Sequence, residues 1–237
     1  MKAFFELIRN EWPRYLIEIF VIIIGITLSF LLNEWRVDRD NRANEIRLLE
    51  ALHASMTADS TAIIADMQFL KNGIEIYPKV LKSNNLENLP DDSLLQFFFA
   101  ISAYATFSGQ DIAYEEMRQS GGYQLMSNKA LLQQIVKMYS FTYDLIQEWC
   151  NIDKNFILNR MLPYQEVHFQ SHNVFDPSNL ISFWKLNFNN AIKTNQFRNL
   201  LSLNIQFKSS VLYAFKQLQK ELRANIRAVK EELARLR

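Results

Sequence analysis

An uninterrupted apolar run near the amino end is the strongest pattern in the chain. Residues 15–32 read Tyr-Leu-Ile-Glu-Ile-Phe-Val-Ile-Ile-Ile-Gly-Ile-Thr-Leu-Ser-Phe-Leu-Leu and contain one charged side chain, Glu18. As a helix this run would be about 27 Å long, close to the ~30 Å hydrocarbon core of a bilayer. Trp12 and Tyr15 at one end and Trp35 at the other stand where aromatic side chains meet lipid headgroups. The pattern predicts a transmembrane helix with these three membrane-interface anchors; a buried core helix is the alternative.

The rest of the chain has the spacing of helices rather than strands. Few segments alternate apolar and polar residues, and the 237 residues include only five glycines and five prolines. We expect an all-α protein, in which one amino-terminal transmembrane helix continues into a long stalk helix and an antiparallel helical bundle follows. The predicted domains are an interfacial amphipathic helix at residues 1–14, a transmembrane helix at 15–33, and a stalk and bundle domain at 34–237.

Several local signals place helix ends within this bundle. Gly73 is expected to break or bend the stalk helix. The pair Gly121-Gly122 predicts a tight corner, and Ser127 or Asn128 is placed to cap a long helix that follows. The last stretch carries apolar residues at heptad spacing, which predict a seam that packs back on the stalk or pairs with another protomer: Leu222, Ile226, Val229, Leu233 and Leu236.

The charges that flank the apolar run bear on its orientation. Three basic residues precede it and four follow it by residue 50, so their count alone does not decide the orientation. The first fourteen residues sum to +1 and residues 33–50 sum to −1, which favours a cytoplasmic amino end. The sequence Asn33-Glu-Trp-Arg36 lacks a small-x-small cleavage site. We therefore expect an uncleaved signal anchor with the carboxyl-terminal domain outside the cytoplasm.

One face of the predicted transmembrane helix differs from the others. It carries a carboxylate, two small residues and two aliphatic ones, which we call the span stripe: Glu18, Ile22, Gly25, Ser29 and Leu32. Gly25 and Ser29 form a small-xxx-small pattern, which lets two helices approach closely in a bilayer. A single transmembrane helix meets such partners only in another chain, so we expect a homo-oligomer joined along the span stripe. The alternative is that Gly25 and Ser29 are merely tolerated in lipid.

Glu18 has two interpretations. Charged groups inside a membrane are costly and often handle protons or cations, so copies of Glu18 brought together in an oligomer would form an ion pathway. The alternative is a carboxyl that is neutral or that reaches the nearby headgroups, paired with Arg14 four residues earlier. The short distance from Glu18 to the end of the apolar run favours this second interpretation.

The composition of the chain limits the partners and the kinds of site that we expect. The chain has 26 basic and 25 acidic residues, a net charge of +1 that provides no basic field, so nucleic acid is not an expected partner. The single cysteine, Cys150, lies in an apolar helical pattern and is expected to be a core residue. His168 and His172 lie in a proline-flanked segment, where a surface loop is favoured over a metal site. The sequence shows no catalytic constellation, phosphate-binding loop or dinucleotide fingerprint, so we expect no enzyme, cofactor or metal.

Residues 15–35 resemble the span of an uncharacterised family of bacterial single-pass membrane proteins. Its members typically begin with a basic amino end and a span of the form Glu-Ile-apolar-Gly-Ile-x-apolar-small, closed by an Asn-x-Trp or Asn-Trp sequence. The matching positions here are Glu18, Gly25, Asn33 and Trp35. A second stretch, from the Ser-Gly-Gly corner onward, also resembles the family at Ser120, Gly121, Leu125, Asn128 and Tyr139. The amino end of this chain is less basic than the family pattern. The resemblance implies a single-pass protein of the bacterial inner membrane with a periplasmic bundle, and it implies no activity.

These observations lead to one expected function and two alternatives. We expect a non-enzymatic membrane-anchored scaffold that homo-oligomerises through its single transmembrane helix and presents an envelope-side domain to other envelope proteins. The first alternative is an ion-conducting or ion-coupled assembly with Glu18 in the pathway. The second is an envelope sensor that binds a small ligand between its outer helices, which a substantial pocket with convergent polar groups would favour. The partners expected from sequence are the lipid bilayer, further copies of the chain and other envelope proteins.

Overall fold

The computed structural model describes residues 2–82, 89–169 and 177–237, with side chains at residues 12, 14–82, 89–169 and 182–237. Within these ranges the chain is helical and contains no strand, which confirms the all-α prediction. The helices are α1 (Lys2–Lys82), α2 (Asp91–Ser102), α3 (Ile112–Gln119), α4 (Gly122–Leu125), α5 (Lys129–Lys137), α6 (Tyr143–Phe156), α7 (Leu162–His168), α8 (Pro177–Ala191) and α9 (Asn195–Leu236). Two π-helical turns, Met138–Thr142 and Ile157–Met161, join α5, α6 and α7 into one rod.

Helix α1 is one uninterrupted element of 81 residues, about 120 Å long. It contains the one helical segment of the described chain that is long and apolar enough to cross a membrane: an 18-residue window has a mean hydropathy of 2.5, and none of it is buried. The predicted interfacial helix, transmembrane helix and stalk are therefore consecutive parts of a single helix. Where the membrane begins and ends along it stays a prediction.

The helix break predicted as one possibility at Gly73 is wrong, because α1 continues through this residue to Lys82. A Cβ atom at Gly73 would lie 3.3 Å from the Cβ atom of Ala100 in α2. The glycine therefore lets α2 approach the side of α1 closely. This role depends on a residue that is distant in sequence, so helix propensity alone does not reveal it.

The last helix, α9, returns antiparallel along α1. The guanidinium of Arg42 donates a hydrogen bond to the carbonyl oxygen of Leu236 at 2.7 Å, and the Gln219 side chain donates to the carbonyl oxygen of Ser60 at 3.2 Å. Four of the five predicted seam residues are buried and Ile226 is half-buried. They share one core with the middle of α1. The sequence predicted that this seam packs either on the stalk or on another protomer, and in the structure it packs on the stalk of the same chain.

The bundle contains two apolar cores placed one after the other along α1. The core nearer the apolar segment includes Leu49, Leu52 and Met56 of α1, packed with Phe215 and Val229 of α9. The farther core is rich in aromatic rings and includes Tyr77, Phe97, Phe188 and Phe197. Cys150 is buried in the first core, and burial raises the pKa of its thiol to about 12, so it behaves as a small apolar side chain. This confirms the interpretation made from sequence.

Buried polar groups join α9 to the end of α2. The ammonium of Lys208 donates a hydrogen bond to the carbonyl oxygen of Ala103 at 2.6 Å, and the Asn204 amide donates to the carbonyl oxygen of Ile101 at 3.2 Å. The Tyr77 hydroxyl donates to the amide oxygen of Asn204. Carbonyl groups at the end of a helix have no partner within that helix. The two side chains of α9 supply the missing donors, and Tyr77 of α1 holds Asn204 in place, which fixes the end of α2 inside the bundle.

Candidate functional site

The span stripe lies on a fully exposed part of α1. Each of its five residues is exposed, and a Cβ atom at Gly25 would meet nothing within 4 Å. Because the helix is continuous here, the spacing of the stripe places its members on one face as predicted. The bundle does not cover the stripe, so this face is open to lipid or to another molecule. Its use as an interface stays a prediction.

The two hydroxyl residues of the apolar segment lie on opposite faces. Ser29 donates a hydrogen bond to the carbonyl oxygen of Gly25, and Thr27 donates to the carbonyl oxygen of Ile23, both at 2.8 Å. At about 100° per residue, Thr27 lies half a turn away from the direction of Glu18, whereas Ser29 lies close to that direction. Ser29 and Thr27 therefore have chemically similar side chains, but Ser29 lies on the span stripe and Thr27 lies on the opposite face of the helix.

The predicted membrane-interface anchors are exposed aromatic side chains. Trp12, Tyr15 and Trp35 have 54%, 53% and 62% of their surface exposed, so none is used in the protein's own core. The two tryptophans are separated by about 34 Å along the helix axis, which suits opposite headgroup regions of one bilayer. The guanidinium of Arg39 lies 5.2 Å from the centre of a Trp35 ring. This cation–π contact sets a basic group at the same depth as the second aromatic anchor.

The corner predicted from the glycine pair is present. Gly121 has φ of 75°, a left-handed conformation that favours glycine, and α4 begins directly after it. The side chain of Asn128 accepts a hydrogen bond from the backbone N–H of Leu131 at 3.1 Å and caps α5, so the cap prediction is confirmed for Asn128. A Cβ atom at Gly122 would lie 2.9 Å from Cδ1 of Leu48. The corner therefore packs directly on α1.

A polar cluster that we call the corner clasp fastens this corner to both long helices. Glu45 of α1 accepts hydrogen bonds from the backbone N–H and the hydroxyl of Ser127, at 2.6 and 2.9 Å. Glu232 of α9 accepts a hydrogen bond from the Asn128 amide at 3.0 Å and pairs with Arg235. Both carboxylates are buried, and the hydrogen bonds from Arg235 lower the pKa of Glu232. The clasp holds α1, the corner and the end of α9 in one arrangement.

A cavity of about 410 Å³ opens on the surface of the bundle. It lies where the extended segment before α3, α3 itself and the rod of α5 and α6 meet. We call it the tyrosine cavity after three of the four aromatic residues in its otherwise largely polar lining: Phe107, Tyr114, Tyr139 and Tyr143. This volume falls within the range of pockets that hold small molecules.

A buried carboxylate of α1 forms hydrogen bonds with the segment and the ring that border the tyrosine cavity. Asp59 is 3% exposed and accepts hydrogen bonds from the backbone N–H of Gln110 at 3.0 Å and from the Tyr143 hydroxyl at 2.6 Å. A Cβ atom at Gly109 would lie 2.3 Å from a ring carbon of Tyr143. Glycine is therefore required for the chain to pass this close to the ring. Together these contacts fix the wall of the cavity to the helix that carries the apolar segment.

Tyr139 is the least satisfied polar residue of the tyrosine cavity. Its ring stacks on Tyr114, with centroids 4.7 Å apart and planes inclined by 10°, and lies 4.6 Å from the ring of Tyr143. Only 4% of the residue is exposed, and its buried hydroxyl, which makes no hydrogen bond of ordinary length within the described chain, interacts with the Tyr143 hydroxyl beside it. Burial, with Asp59 nearby, raises the pKa of Tyr139. The residue belongs to the π-helical turn Met138–Thr142, and such turns are frequent at functional sites.

The rim of the tyrosine cavity is acidic. Its charged lining residues are Asp111, Glu115, Arg118 and Asp144, which sum to −2 when all are ionised. The guanidinium of Arg118 donates two hydrogen bonds to Glu115, at 3.1 and 2.5 Å. In the part of the chain that the structure describes, neither Asp111 nor Asp144 has an ion-pair partner. The unneutralised charge of the rim therefore comes from these two aspartates.

Sequence reasoning found this site only in part. Tyr139 was singled out through the family resemblance, whereas Asp59, Tyr114 and Tyr143 were not, because they come from three separate segments. The closest signal was the aromatic and glycine-containing stretch at residues 104–109, which is too polar and irregular for a core helix. Within the described ranges no cluster of His, Cys, Asp and Glu is arranged to hold a metal ion. The His168 ring lies against that of Tyr164, with centroids 4.3 Å apart and planes inclined by 33°, and His172 lies outside the described residues.

Comparisons with known proteins give no further assignment. No family model matches the chain, and neither curated proteins nor solved structures show a significant match. The function must therefore be argued from the geometry of the described residues.

Proposed function

We propose that the chain is a non-enzymatic scaffold, anchored in the bacterial inner membrane by residues 15–33, which homo-oligomerises along the span stripe and presents its bundle to other envelope proteins. One observation carries this proposal. Every residue from 14 to 43 is exposed, although residues 15–32 are strongly apolar, and the same helix then enters the core at Leu48. An apolar helix of this length without contacts in its own chain requires lipid or other helices around it. The amino end lies in the cytoplasm and the bundle in the periplasm.

The geometry of α1 suits the presentation of a domain at a set distance from a membrane. Glu45, where burial begins, is thirteen positions after Leu32, so about 20 Å of helix stands between the bilayer and the bundle. No glycine, proline or loop interrupts this stretch. A rigid stalk transmits any rotation or tilt of the membrane segment to the bundle, as a scaffold with fixed orientation requires.

Cysteine cross-linking in the membrane tests the interface. In a Cys150→Ala background, we compare Ser29→Cys, on the span stripe, with Thr27→Cys, on the opposite face. Both native hydroxyls bond to the carbonyl four residues earlier, so the two substitutions remove the same local interaction. Ser29→Cys should form disulfide-linked dimers several times faster than Thr27→Cys. Equal rates would show that the stripe does not direct association.

The tyrosine cavity favours a second function, that of a ligand sensor in the cell envelope. The specific observation is that Asp59, which bonds to the cavity wall through Gln110 and Tyr143, belongs to the same continuous helix as the membrane segment. A ligand that moves this wall would act directly on α1. Screening small molecules by their effect on the thermal unfolding of the full-length protein in mild detergent tests this function, because a bound ligand raises Tm.

A further inference from the structure

We propose that neighbouring copies of this chain bind each other side by side outside the membrane, through a basic face of α9 on one copy and an acidic face around α3 on the next. This inference rests on the proposed homo-oligomer and names a second surface that joins its copies. It does not depend on the proposed sensor function.

The outer face of α9 carries basic side chains that the bundle does not use. They recur at alternating steps of four and three residues, all of them are exposed, and we call them the basic row: Lys216, Lys220, Arg223, Arg227 and Lys230. Among the described residues, only Arg227 of this row forms an ion pair, with Glu231 at 4.0 Å. Five basic residues and Glu231 give a net charge of +4 over about 21 Å of helix. Like charges this close on one helix face repel each other unless an anionic surface lies against them.

A face of opposite sign lies around α3. We call it the acidic flank, and its members are carboxylates of α3, of the residue before it and of α6: Asp111, Glu115, Glu116 and Asp144. Glu115 pairs with Arg118, whereas the other three have no ion-pair partner in the part of the chain that the structure describes. Ile112, which adjoins three of these carboxylates, exposes 78% of its surface. An apolar side chain surrounded by charged groups is the composition of a protein interface rather than of a solvated helix face.

The basic row and the acidic flank lie at the same height along α1. Gln219, within the length of the basic row, donates a hydrogen bond to the carbonyl oxygen of Ser60. The preceding residue of α1, Asp59, accepts hydrogen bonds from the two residues that come directly before Asp111 and Asp144. Copies inserted in the same direction in one bilayer are parallel, so surfaces at equal height meet when two copies stand side by side.

The two faces also lie on different sides of the bundle. Helix α9 is attached to both α1 and the rod by hydrogen bonds. The acidic flank is likewise attached to both, through Asp59 of α1 and through the stacked rings of Tyr114 and Tyr139. Ser60, which bonds to α9, and Asp59 project from α1 about 100° apart. Each copy therefore presents unlike charges to the neighbours on its two sides, and such a head-to-tail contact can close into a ring.

Charge complementarity selects a second copy as the partner of the basic row. Its four cations without an ion pair in the described chain would meet three such carboxylates at the same height, and complementary charges fix the register of an interface. Exposed ion pairs contribute little singly. Copies held together by their membrane segments meet at a high effective concentration, however, so a few such pairs can hold their bundles together.

Cross-linking between two kinds of chain tests the contact, in a Cys150→Ala background. One chain carries Ala224→Cys, beside Arg223 in the basic row, and the other carries Ile112→Cys in the acidic flank. Both positions are exposed, and neither substitution changes a charge. The two chains, one with a size tag, are coexpressed in one membrane and treated with a short bis-maleimide. We expect cross-linked dimers that contain one chain of each kind, in clear excess over dimers of either kind alone.

Reversal of charge then tests the chemistry of the contact. Lys220→Glu with Arg223→Glu, added to the first chain, should lower the yield of mixed dimers roughly tenfold, because like charges then face each other. Asp111→Lys with Glu116→Lys, added to the second chain, should restore the yield, because the charges are again opposite.

The matched control is Lys193→Glu with Arg198→Glu in the first chain. These residues are exposed near the start of α9, so the same change of charge is made far from the basic row and should leave the yield of mixed dimers unchanged. A matched circular dichroism spectrum and Tm for each variant confirm that it is folded.

The possible results separate this inference from the homo-oligomer on which it rests. If Ser29→Cys forms dimers faster than Thr27→Cys but Ala224→Cys and Ile112→Cys do not link, the homo-oligomer stands and the side-by-side contact is overturned. A basic row that instead holds an anionic lipid or polymer would give this same result. Cross-linking that survives the first charge reversal, or that the second reversal does not restore, would also overturn the contact. If neither pair of experiments shows association, both proposals fall.

Discussion

The ammonium nitrogen of Lys208 lies 3.2 Å from a carboxylate oxygen of Asp153, and both side chains are buried, at 1% and 0% exposure. Burial lowers the pKa of Lys208 and raises that of Asp153, whereas their pairing opposes both shifts. Removal of two ions from water is costly, so the pair is tolerated because each ion is the partner of the other. This relationship between α9 and α6 makes the centre of the bundle sensitive to the loss of either charge.

The variant Lys208→Met should lower the free energy of unfolding by about 3 to 5 kcal/mol, since it leaves Asp153 as an uncompensated buried charge and removes a donor from Ala103. Urea unfolding of the full-length protein in mild detergent measures the change. The matched control is Lys71→Met, which breaks an exposed pair with Glu75 at 3.9 Å and should cost less than about 0.5 kcal/mol. Similar losses in the two variants would contradict a special role for the buried pair.

The corner clasp should make stability depend on acidic pH through Glu232. In the unfolded chain this carboxyl titrates near its ordinary value of 4.5, whereas in the folded chain the hydrogen bonds of Arg235 hold its pKa lower. Between the two values the unfolded state binds more protons, so the contribution of Glu232 is present above pH 4.5 and is lost as the pH falls through the folded pKa.

Unfolding free energies measured at pH 7 and at pH 3 check this dependence. Glu232→Gln should lose about 1 kcal/mol at pH 7 and fall less steeply toward pH 3 than the wild type, because the group that titrates is gone. The neighbouring Glu231→Gln is the control, since Glu231 is exposed and forms only a 4.0 Å pair with Arg227. The prediction fails if Glu232→Gln retains the full acid dependence of the wild type.

The variant Gly109→Ala should distort the tyrosine cavity. Its Cβ atom would lie 2.3 and 2.6 Å from two ring carbons of Tyr143, so the ring or the segment must move and the hydrogen bond to Asp59 is strained. We expect the free energy of unfolding to fall by about 1 to 3 kcal/mol, typical of overpacking. Gly73→Ala, whose Cβ atom meets Ala100 at 3.3 Å, should cost less. Thermal unfolding of both variants gives the comparison.

Glu18 should not support ion flux. It lies three residues, about 5 Å, inside the apolar run, from where its carboxyl can reach the headgroup region. In vesicles reconstituted with the wild type or with Glu18→Gln, proton and cation flux should stay at the level of vesicles without protein. A flux in the wild type that disappears in Glu18→Gln would instead support the ion pathway and would replace the scaffold proposal.

The features that sequence predicted correctly are those decided by neighbours along the chain. The capping residue Asn128 and the corner at Gly121 satisfy backbone groups within a few positions, and the seam of α9 follows from its own heptad spacing. Gly73 was misassigned because its role depends on Ala100, twenty-seven positions later in another helix. The tyrosine cavity was missed for the same reason, since its parts meet only after α1, α3 and the rod have packed together.

Because α1 is continuous, the face of its apolar segment used for association also determines which side of the bundle would face the centre of an oligomer. Thirty-six residues make about ten turns of an α-helix, so Ala54, Thr61 and Ala65 project on the same side as Glu18, Gly25 and Ser29. All three are exposed in the bundle. Ile63, which projects on the same side of α1 as Thr27, is buried. Asp59, which bonds to the segment and the ring beside the tyrosine cavity, is buried on that side of α1 too. Copies joined along the span stripe would therefore bring small residues together at a common axis and leave each tyrosine cavity on the side away from that axis.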